Sequence, residues 1–343
     1  MKLNDIIFEL EKIYPLNYQE SWDNCGLQIG NKNQKIKKIM TTLEITNQVI
    51  DEAIKDNIDL IITHHPLIFK PLKNILDNKI IKLIQNNICV YAMHTNVDIA
   101  INGMNDWLCE EIGLKNIYQL NNQVKEELIK FNVDVKKDQH YKIKELLKKY
   151  IININALHDY QEELFNLNAK TIKVISKENL LIRLEFITLK KDKDDILKIF
   201  HQNHLNDYYV QEITDPYLSL GIGRIGTIKK QKATDFFKHL NKIYPNTKMI
   251  TKENKDISTV AIVGGSGISF LDDAIRQNID CFITGDIKYH DAQYILENDI
   301  VVFDIGHYAE KIFNVKMEEI IKYLFPKLIV CSTKKLKDPF IYE

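Results

Sequence analysis

The sequence lacks the features that identify disulfide-rich and thiolate metal proteins. Its cysteines are odd in number and contain no CxxC pair, so neither a disulfide framework nor a zinc site built from thiolates is indicated. A reducing compartment fits this cysteine usage, and we expect a cytoplasmic protein. The five cysteines are Cys25, Cys89, Cys109, Cys281 and Cys331.

Long apolar runs are also missing. No window of about 18 apolar residues is present for a membrane helix. The amino terminus, MKLNDIIFELEKIYP, has the spacing of an amphipathic helix and not the uninterrupted apolar stretch of a signal peptide. We therefore expect no association with membranes.

An excess of charge of either sign is absent as well, because 46 basic and 47 acidic residues give a net charge of -1. This balance provides no global attraction to nucleic acid, so that partner is disfavoured and small ligands are expected. With 343 residues, 45% hydrophobic and 27% charged, the composition predicts a globular protein of two or three domains.

What is present is a repeated alternation of strand and helix patterns. Between residues 37 and about 115, short apolar runs such as IDLIITHH and ICVYAMHT alternate with helical segments. Such runs are typical of buried parallel strands, whose carboxyl ends collect ligand-binding groups. Those ends carry Glu44, the pair His64 and His65, and the segment from His94 to Asp98.

A second stretch with the same pattern begins near Arg224 and includes IGTI, STVAIVGGSG, IDCFITGDIKYH and IVVFDIG. The residues between the two stretches change to an α+β pattern, which we interpret as a small ferredoxin-like insert with a structural or regulatory role. The expected fold class is therefore α/β, with two related α/β lobes and this insert. The expected limits are 1–126 for the first lobe, 127–223 for the insert and 224–343 for the second lobe.

The paired histidines are the first candidate ligands. Adjacent residues point to opposite faces of an ideal strand, but a turn at Pro66 allows His64 and His65 to converge and to serve one metal each. A satisfied strand end is the alternative. Asp98, at the same sheet edge, either adds a carboxylate to a Zn, Fe, Mn or Ni shell or caps the following segment. His94 is either a ligand or a residue that orients one.

GHYAE places His307 and Glu310 three residues apart, hence on one face if a helix begins at Gly306. A glutamate has two oxygens and can bridge two metals, and Glu310 is the choice for that bridge; an exposed helical glutamate is the alternative. Asp286 and His290 of GDIKYHDA are expected to line the same cavity. The glycines of VGGSG form either a backbone nest for an anion or an ordinary turn.

Several of these motifs occur together in one order and spacing, and the sequence resembles the GTP cyclohydrolase 1 type 2 homologue family, also called Nif-three-like, in its bacterial form with a PII/CutA-like insert. The resemblance spans nearly the whole chain. The motifs are WDNCGLQIG (22–30), THHPLIF (63–69), HTNVD (94–98), GIGRIG (221–226), GGSG (264–267), TGDIKYH (284–290), GHYAE (306–310) and DPF (338–340).

The resemblance implies two divalent metal ions per subunit in a cleft between the lobes, and a toroidal homohexamer. The ligands that it implies are His64, His65, Asp98, His307 and Glu310.

Two functions are compatible with such a site. The first is a metal-dependent hydrolase, acting on nucleotides and resembling a GTP cyclohydrolase, in which Glu310, Asp286 and His290 are the catalytic candidates. The second is a non-enzymatic metal-binding, metal-storage or regulatory hexamer, for which the same ligands suffice. The sequence identifies no residue for an organic cofactor.

Overall fold

The structure, a computed structural model, describes residues 1–147, 150–151, 173–177 and 181–341. The chain divides into two compact units, of which the first combines Met1–Asn121 with Gly221–Glu343 and the second is Asn122–Leu220. All the predicted site residues belong to the first unit. The assignment of three domains stays a prediction.

The described residues contain strands and helices in alternation. The strands are β1 (Gly26–Ile29), β2 (Lys38–Thr42), β3 (Leu60–Thr63), β4 (Cys89–Ala92), β5 (Lys115–Gln119), β6 (Val124–Lys136), β7 (Lys173–Lys177), β8 (Leu181–Leu189), β9 (Tyr208–Leu220), β10 (Arg224–Lys232), β11 (Lys248–Ile250), β12 (Asp256–Ile262), β13 (Cys281–Thr284), β14 (Val301–Asp304) and β15 (Ile329–Ser332). The helices are α1 (Leu3–Ile13), α2 (Asn47–Lys55), α3 (Asn78–Gln85), α4 (Thr95–Ile99), α5 (Met104–Ile112), α6 (His140–Leu147), α7 (Lys193–Gln202), α8 (Ala233–Ile243), α9 (Leu271–Arg276), α10 (Tyr289–Glu297) and α11 (Ile312–Leu324). The predicted α/β class is confirmed.

The first sheet of the first unit has the order β1-β4-β3-β2-β15. Strands β2, β3 and β4 are parallel, and β15 joins β2 in the same direction. Every residue of β3 and β4 is buried, as expected for parallel strands covered on both faces. Because β15 comes from the end of the chain, this sheet combines residues from both ends of the sequence.

The second sheet has the order β11-β14-β13-β12-β10-β5. Strands β12, β13 and β14 are parallel, as the strand-helix alternation predicts. The strand that begins at Arg224 does not continue that pattern, because β10 is antiparallel to both β12 and β5. Within this sheet, the parallel arrangement is therefore limited to β12–β14.

Helix α11 packs against the first sheet and fixes the segment that precedes it. Phe313, Met317 and Ile321 are buried along one side of α11. The hydroxyl of Thr41, in β2, donates a hydrogen bond of 2.7 Å to the carbonyl oxygen of Asn314. The short turn before α11, which carries His307 and Glu310, is thus held against the first sheet.

The second unit has its own antiparallel sheet, with the order β7-β8-β6-β9. Its apolar core is largely aliphatic and includes an aromatic group, in which the Phe131 ring stacks on Phe186 at 5.5 Å and meets Phe200 edge-on at 5.7 Å between centroids. The candidate ligands contribute nothing to this core. Within the described residues, none of the helices combines the length and the apolar character needed to cross a bilayer.

One buried cation ties β10 to the first half of the chain. The Arg224 side chain is 0% exposed and donates to both Asp106 carboxylate oxygens, at 2.6 and 3.2 Å. It also donates to the carbonyl oxygens of Gly221, Gly223 and Ala100, at 2.9, 3.0 and 2.8 Å. Removing the guanidinium would take a charged donor away from all of these acceptors at a buried position.

We therefore expect Arg224→Met to lower the free energy of unfolding by about 3 kcal/mol or more. Urea titration followed by circular dichroism measures the loss. Lys232→Met is the matched control, because Lys232 lies on the same strand and pairs with Asp256 at 3.0 Å, but at an exposed position. That variant should lose no more than about 0.5 kcal/mol. Equal losses in the two variants would show that the Arg224 network is not a stabilising element.

Candidate metal centre

The predicted ligands follow the carboxyl ends of parallel strands. Strand β3 ends at Thr63, and His64 and His65 come next. Strand β4 ends two residues before His94, and the adjoining helix α4 carries Asp98. Both strands end at the same edge of the first sheet, so these side chains lie close together.

His307 and Glu310 lie in a 3-10 turn, His307–Lys311, that directly precedes α11. The sequence predicted that they share the face of an α-helix beginning at Gly306. In a 3-10 helix, side chains three positions apart are eclipsed, which aligns this pair more closely than an α-helix would. Gly306 allows the entry into the turn, because its φ is 76°.

His64 is oriented by the backbone. Its Nδ1 donates a hydrogen bond of 2.8 Å to the carbonyl oxygen of Met93, so Nε2 is left as the free, electron-donating nitrogen. Nε2 lies 3.6 Å from Asp98 Oδ1 and 3.8 Å from Glu310 Oε1. Both His64 Nε2 and Asp98 Oδ1 are buried without a hydrogen-bond partner. Buried polar atoms are normally satisfied, and a cation between these two would satisfy both.

Glu310 stands at the centre of the group and is 4% exposed. Its Oε2 lies 3.3 Å from His65 Nε2 and 3.2 Å from His307 Nε2. The two imidazole Nε2 atoms are 3.2 Å from each other. The two carboxylate oxygens therefore face different partners: Oε1 faces His64, and Oε2 faces His65 and His307.

Carboxylates lie on the outer side of two of these histidines. His307 Nδ1 donates a hydrogen bond of 2.6 Å to Asp286 Oδ2. His65 Nδ1 is 3.9 Å from Glu44 Oε2. For His307, the hydrogen bond to Asp286 on the outer nitrogen fixes the tautomer and directs Nε2 inward, as in many metal sites.

Among the described residues, three groups of side chains have the geometry to hold a metal ion. Each contributes one ligand atom per residue, and the atoms of a group lie within 4.8 Å of one another. Glu310 is shared by two of the groups. The groups are His64 with Asp98 and Glu310; His65 with His307 and Glu310; and His64 with His65 and His94.

The glycines of VGGSG leave room for the Glu310 carboxylate. A Cβ on Gly264 would lie 3.1 Å from Glu310 Oε1, and one on Gly265 would lie 2.7 Å from the same atom. Gly265 also has a φ of 58°, which disfavours a side chain. The Gly264 N–H donates to Asn105 Oδ1 at 2.9 Å, and the Gly267 N–H donates to Thr284 Oγ1 at 2.8 Å. These two N–H groups are thus not available to an anion.

Two residues near the site were not predicted from the sequence. Asp23 accepts hydrogen bonds from His94 Nδ1 at 3.0 Å and from the Thr95 N–H at 3.1 Å. Asn105 donates to the Asp98 carbonyl oxygen at 2.9 Å while it accepts from Gly264. The WD pair in the first motif was the only signal for Asp23, and no motif marked Asn105.

Asp286 and His290, two of the predicted catalytic residues, differ in their contact with the cluster. Asp286 is exposed and reaches the cluster through its hydrogen bond to His307. Its φ of 59° is unusual for a residue with a side chain. His290 is exposed on α10 beside the Tyr289 ring, and it belongs to none of the three metal-capable groups found among the described residues. Its catalytic role stays a prediction.

The charges of the group depend on one another. The hydrogen bond to Glu310 raises the pKa of His307 to about 10, although burial opposes it. Burial lowers the pKa of His65, but the carboxylates of Glu310 and Glu44 outweigh it and raise that pKa to about 9. Burial would raise the pKa of Glu310, yet its contacts with the histidines hold that pKa well below its usual range. For Asp98, burial dominates and raises the pKa to about 6.

The fold and the cluster together define an α/β protein with a candidate metal centre at the carboxyl ends of its strands. The sequence matches the model of the Duf34/NIF3 (NGG1p interacting factor 3) family over residues 1–339. The chain belongs to this family.

Curated relatives agree along the whole chain. The "GTP cyclohydrolase 1 type 2 homolog" of Staphylococcus epidermidis is 32% identical over 385 aligned positions and is covered completely, as is this chain. The protein of the same name from Staphylococcus aureus strain COL is 31% identical over 369 positions, again with complete coverage of both chains. The family resemblance predicted from the motifs is confirmed.

Among solved structures, a Bacillus cereus protein related to NIF3 superposes with a TM-score of 0.75 at 26% identity, covering 100% of this chain and 99% of that one. A Staphylococcus aureus protein superposes with a TM-score of 0.71 at 28% identity and the same coverage. Both similarities extend over the two units of the chain.

The contact between Gly265 and Glu310 predicts a specific effect on metal binding. Gly265→Ala would displace the Glu310 carboxylate, so we expect about tenfold or more weaker binding of Zn²⁺, the range found when groups supporting ligands are altered. Competition titration with a chromogenic chelator measures the affinity.

Gly113→Ala is the matched control for this variant. Gly113 also has a positive φ, of 82°, but a Cβ there would meet nothing within 4 Å. Both variants should lose about 1–2 kcal/mol of stability through backbone strain, and only Gly265→Ala should lose metal affinity. Unchanged Zn²⁺ affinity in Gly265→Ala would mean that the glycine does not support the site.

The raised histidine pKa values predict how the metal-free protein responds to pH. His65 and His307 bind protons more tightly in the folded chain than in the unfolded one, where the pKa is about 6.5. The stability they contribute is therefore complete below about pH 6.5 and is lost as the pH rises through about 9 and about 10.

We expect the free energy of unfolding of chelator-treated protein to fall between pH 7 and 10 by a larger amount than in the His307→Gln variant, as measured by urea titration at each pH. His140→Gln is the control, because His140 is a half-buried residue of the second unit, remote from Glu310 in the sequence, whose Nδ1 donates to the Lys137 carbonyl oxygen. It should keep the wild-type dependence. A His307→Gln protein with an unchanged pH dependence would contradict the expectation.

Proposed function

We propose that the protein binds two divalent metal ions side by side and that Glu310 bridges them. The observation that supports this most directly is that the two carboxylate oxygens of Glu310 face different imidazoles. Oε1 faces His64 Nε2 at 3.8 Å, and Oε2 faces His65 Nε2 at 3.3 Å and His307 Nε2 at 3.2 Å. A carboxylate that bridges two ions presents one oxygen to each.

The donor set fits such a pair. One ion would be held by His64, Asp98 and Glu310, where two donor atoms are buried without partners. The other would be held by His65, His307 and Glu310. Imidazole nitrogens combined with carboxylate oxygens suit Zn, Fe, Mn or Ni, and the choice among them follows geometry and supply.

The reaction that this site supports best is hydrolysis. Bound divalent ions supply Lewis acidity, which makes water nucleophilic near neutral pH and polarises the bond under attack. Asp286 holds His307 in the tautomer that directs Nε2 inward, and the Met93 carbonyl oxygen does the same for His64. His290 is kept as a proton-transfer candidate on the basis of its motif. The relatives' name suggests GTP as the first substrate to test.

A second function is favoured by one observation. Asp286, one of the two catalytic candidates outside the three metal-capable groups, already accepts a hydrogen bond of 2.6 Å from His307 Nδ1. A carboxylate engaged in this way orients a ligand and is less available for proton transfer. A non-enzymatic metal-binding or metal-storage protein requires the ligands alone.

The proposal includes two related lobes, which a repeated segment supports. Asn57-Ile-Asp-Leu-Ile-Ile-Thr63 and Asn278-Ile-Asp-Cys-Phe-Ile-Thr284 are identical at five of seven positions in register. Both asparagines have positive φ, 53° and 54°. Asp59 accepts from the Lys38 N–H at 2.9 Å, and Asp280 accepts from the Thr259 N–H at 2.9 Å. Each contact links the start of the strand to its parallel neighbour.

For the second unit we propose the ferredoxin-like class. Its described elements follow the order β6-α6-β7-β8-α7-β9, and its sheet has the order β7-β8-β6-β9, which is the β-α-β-β-α-β arrangement of that class. Residues 148–149, 152–172 and 178–180 lie outside the described part of this unit. The proposal also keeps the homohexamer implied by the family resemblance and the cytoplasmic location expected from the cysteine usage.

Metal analysis combined with a hydrolysis screen tests the function. We expect two divalent ions per chain in the purified protein, and turnover of GTP or another nucleotide or cyclic amide. Glu310→Gln should reduce the metal content and lower turnover by about 100-fold or more, because it removes the shared charge. Glu319→Gln, an exposed glutamate on the following helix, is the control and should change neither.

The other outcomes decide between the candidates. Full metal loading with no turnover across the screen would favour the binding protein. A single bound ion that survives in Glu310→Gln would contradict the bridged pair.

A further inference from the structure

Two large aromatic side chains lie exposed next to the candidate metal centre. Trp22 is 55% exposed and Phe69 is 46% exposed. Their ring centroids are 5.8 Å apart, with an angle of 44° between the planes. Adjacent exposed apolar side chains beside a cleft of polar groups mark a candidate contact for a ligand or partner.

The pair adjoins the cluster through His94. The Trp22 ring meets the His94 ring edge-on at 6.0 Å between centroids. The His94 ring in turn lies 5.1 Å from the His64 ring and 5.7 Å from the His65 ring. A molecule resting on Trp22 would therefore be separated from the candidate ligands by the width of one imidazole.

Hydrogen bonds hold the two aromatic residues in place. Beside Trp22, Asp23 is anchored to His94 Nδ1 at 3.0 Å and to the Thr95 N–H at 3.1 Å. Beside Phe69, the Ile68 N–H donates to Gln28 Oε1 at 2.8 Å, and the Ile68 carbonyl oxygen accepts from Gln28 Nε2 at 3.3 Å. The chain beside both rings is thus fixed, which limits the entropy lost when a ligand binds.

We propose that Trp22 and Phe69 form a stacking platform for a planar heteroaromatic ring, such as a nucleobase, of a ligand whose other end reaches the metal cluster. Aromatic side chains stack on any base, since every base has a π-face. The reach to the metals rests on the proposed function, whereas the stacking itself does not.

The size of the platform favours a small ligand over a protein surface. A buried aromatic side chain covers about 150–250 Å², so two rings match one heteroaromatic ring system. A stable protein interface needs about 800 Å² from each partner. The competing occupant is a second copy of this chain, because Leu72, Ile75 and Leu76, further along the loop that carries Phe69, are also exposed.

Tryptophan fluorescence provides a local readout. The chain has two tryptophans, and the second, Trp107, is 5% exposed, so acrylamide quenching reports mainly on Trp22. The probes are guanosine, adenosine and cytidine, with ribose as the control that lacks a ring. We expect the nucleosides, and not ribose, to protect the fluorescence, both in chelator-treated and in Zn²⁺-loaded protein. Binding without metal separates this inference from the proposed function.

Variants locate the binding site, with nucleoside affinity followed by calorimetry. Trp22→Leu and Phe69→Leu should each weaken binding of the best nucleoside by about tenfold, since each removes one stacking partner. Trp22→Phe should recover part of the loss. Phe8→Leu is the matched control, because Phe8 is 59% exposed on α1, and its affinity should match the wild type. An unchanged circular dichroism spectrum in all four variants verifies that they fold.

Three results would overturn the platform. The first is the absence of protection by every nucleoside, and the second is equal affinity in wild type and Trp22→Leu. The third is a change of molar mass in Trp22→Leu and Phe69→Leu, measured by light scattering, with nucleoside binding intact. That third result would assign the rings to a contact between copies of the chain.

Discussion

The burial of the Glu310 carboxylate is the constraint on which the rest of the site depends. A charge that is 4% exposed loses most of its hydration, at a cost of several kcal/mol in a real protein. Its oxygens are surrounded by the imidazoles of His64, His65 and His307, which can compensate as protonated groups or as ligands of a shared cation. The glycines at 264 and 265 supply the space in which the charge lies. A cluster organised around one anion in this way is suited to cations.

The path of the chain brings this carboxylate to the first sheet. Glu310 belongs to the short turn that leads into α11, and α11 is bonded to β2 through Thr41 and Asn314. The chain then continues into β15, which pairs with β2 itself. Strand β15 is therefore part of the sheet whose strand β3 leads to His64 and His65. Contacts 245 residues apart, such as that between His65 and Glu310, become possible because backbone pairing beneath the site fixes both sides.

Much of this arrangement was predictable from local pattern. Short apolar runs that end in histidines and carboxylates predicted parallel strands with chemistry at their ends, and the structure brings His64, His65, Asp98, His307 and Glu310 together. The remainder depends on distant partners. Asn105 joins Asp98 to Gly264, 159 residues away, and nothing near Asn105 in the sequence indicates this. Likewise, no local pattern shows that β15 pairs with β2 or that β10 runs antiparallel to β12. The direction of a strand relative to its neighbour depends on the path of the chain between the two strands, and not on the residues within the strand.

If the two lobes are related, their equivalent positions show why the site is asymmetric. The repeated segments end at Thr63 and Thr284, and the next positions hold His64 and His65 in the first lobe but Gly285 and Asp286 in the second. A side chain at 285 is excluded, since a Cβ there would lie 2.9 Å from the backbone of Gly306 and of His307. The turn that delivers His307 and Glu310 thus occupies the space that a ligand at 285 would need. In the first lobe, imidazoles follow β3 directly. In the second lobe, glycine follows β13, and the ligands come from the turn after β14. A side chain at position 285 and the turn that carries His307 and Glu310 cannot occupy the same space. The two segments therefore contribute ligands from different positions.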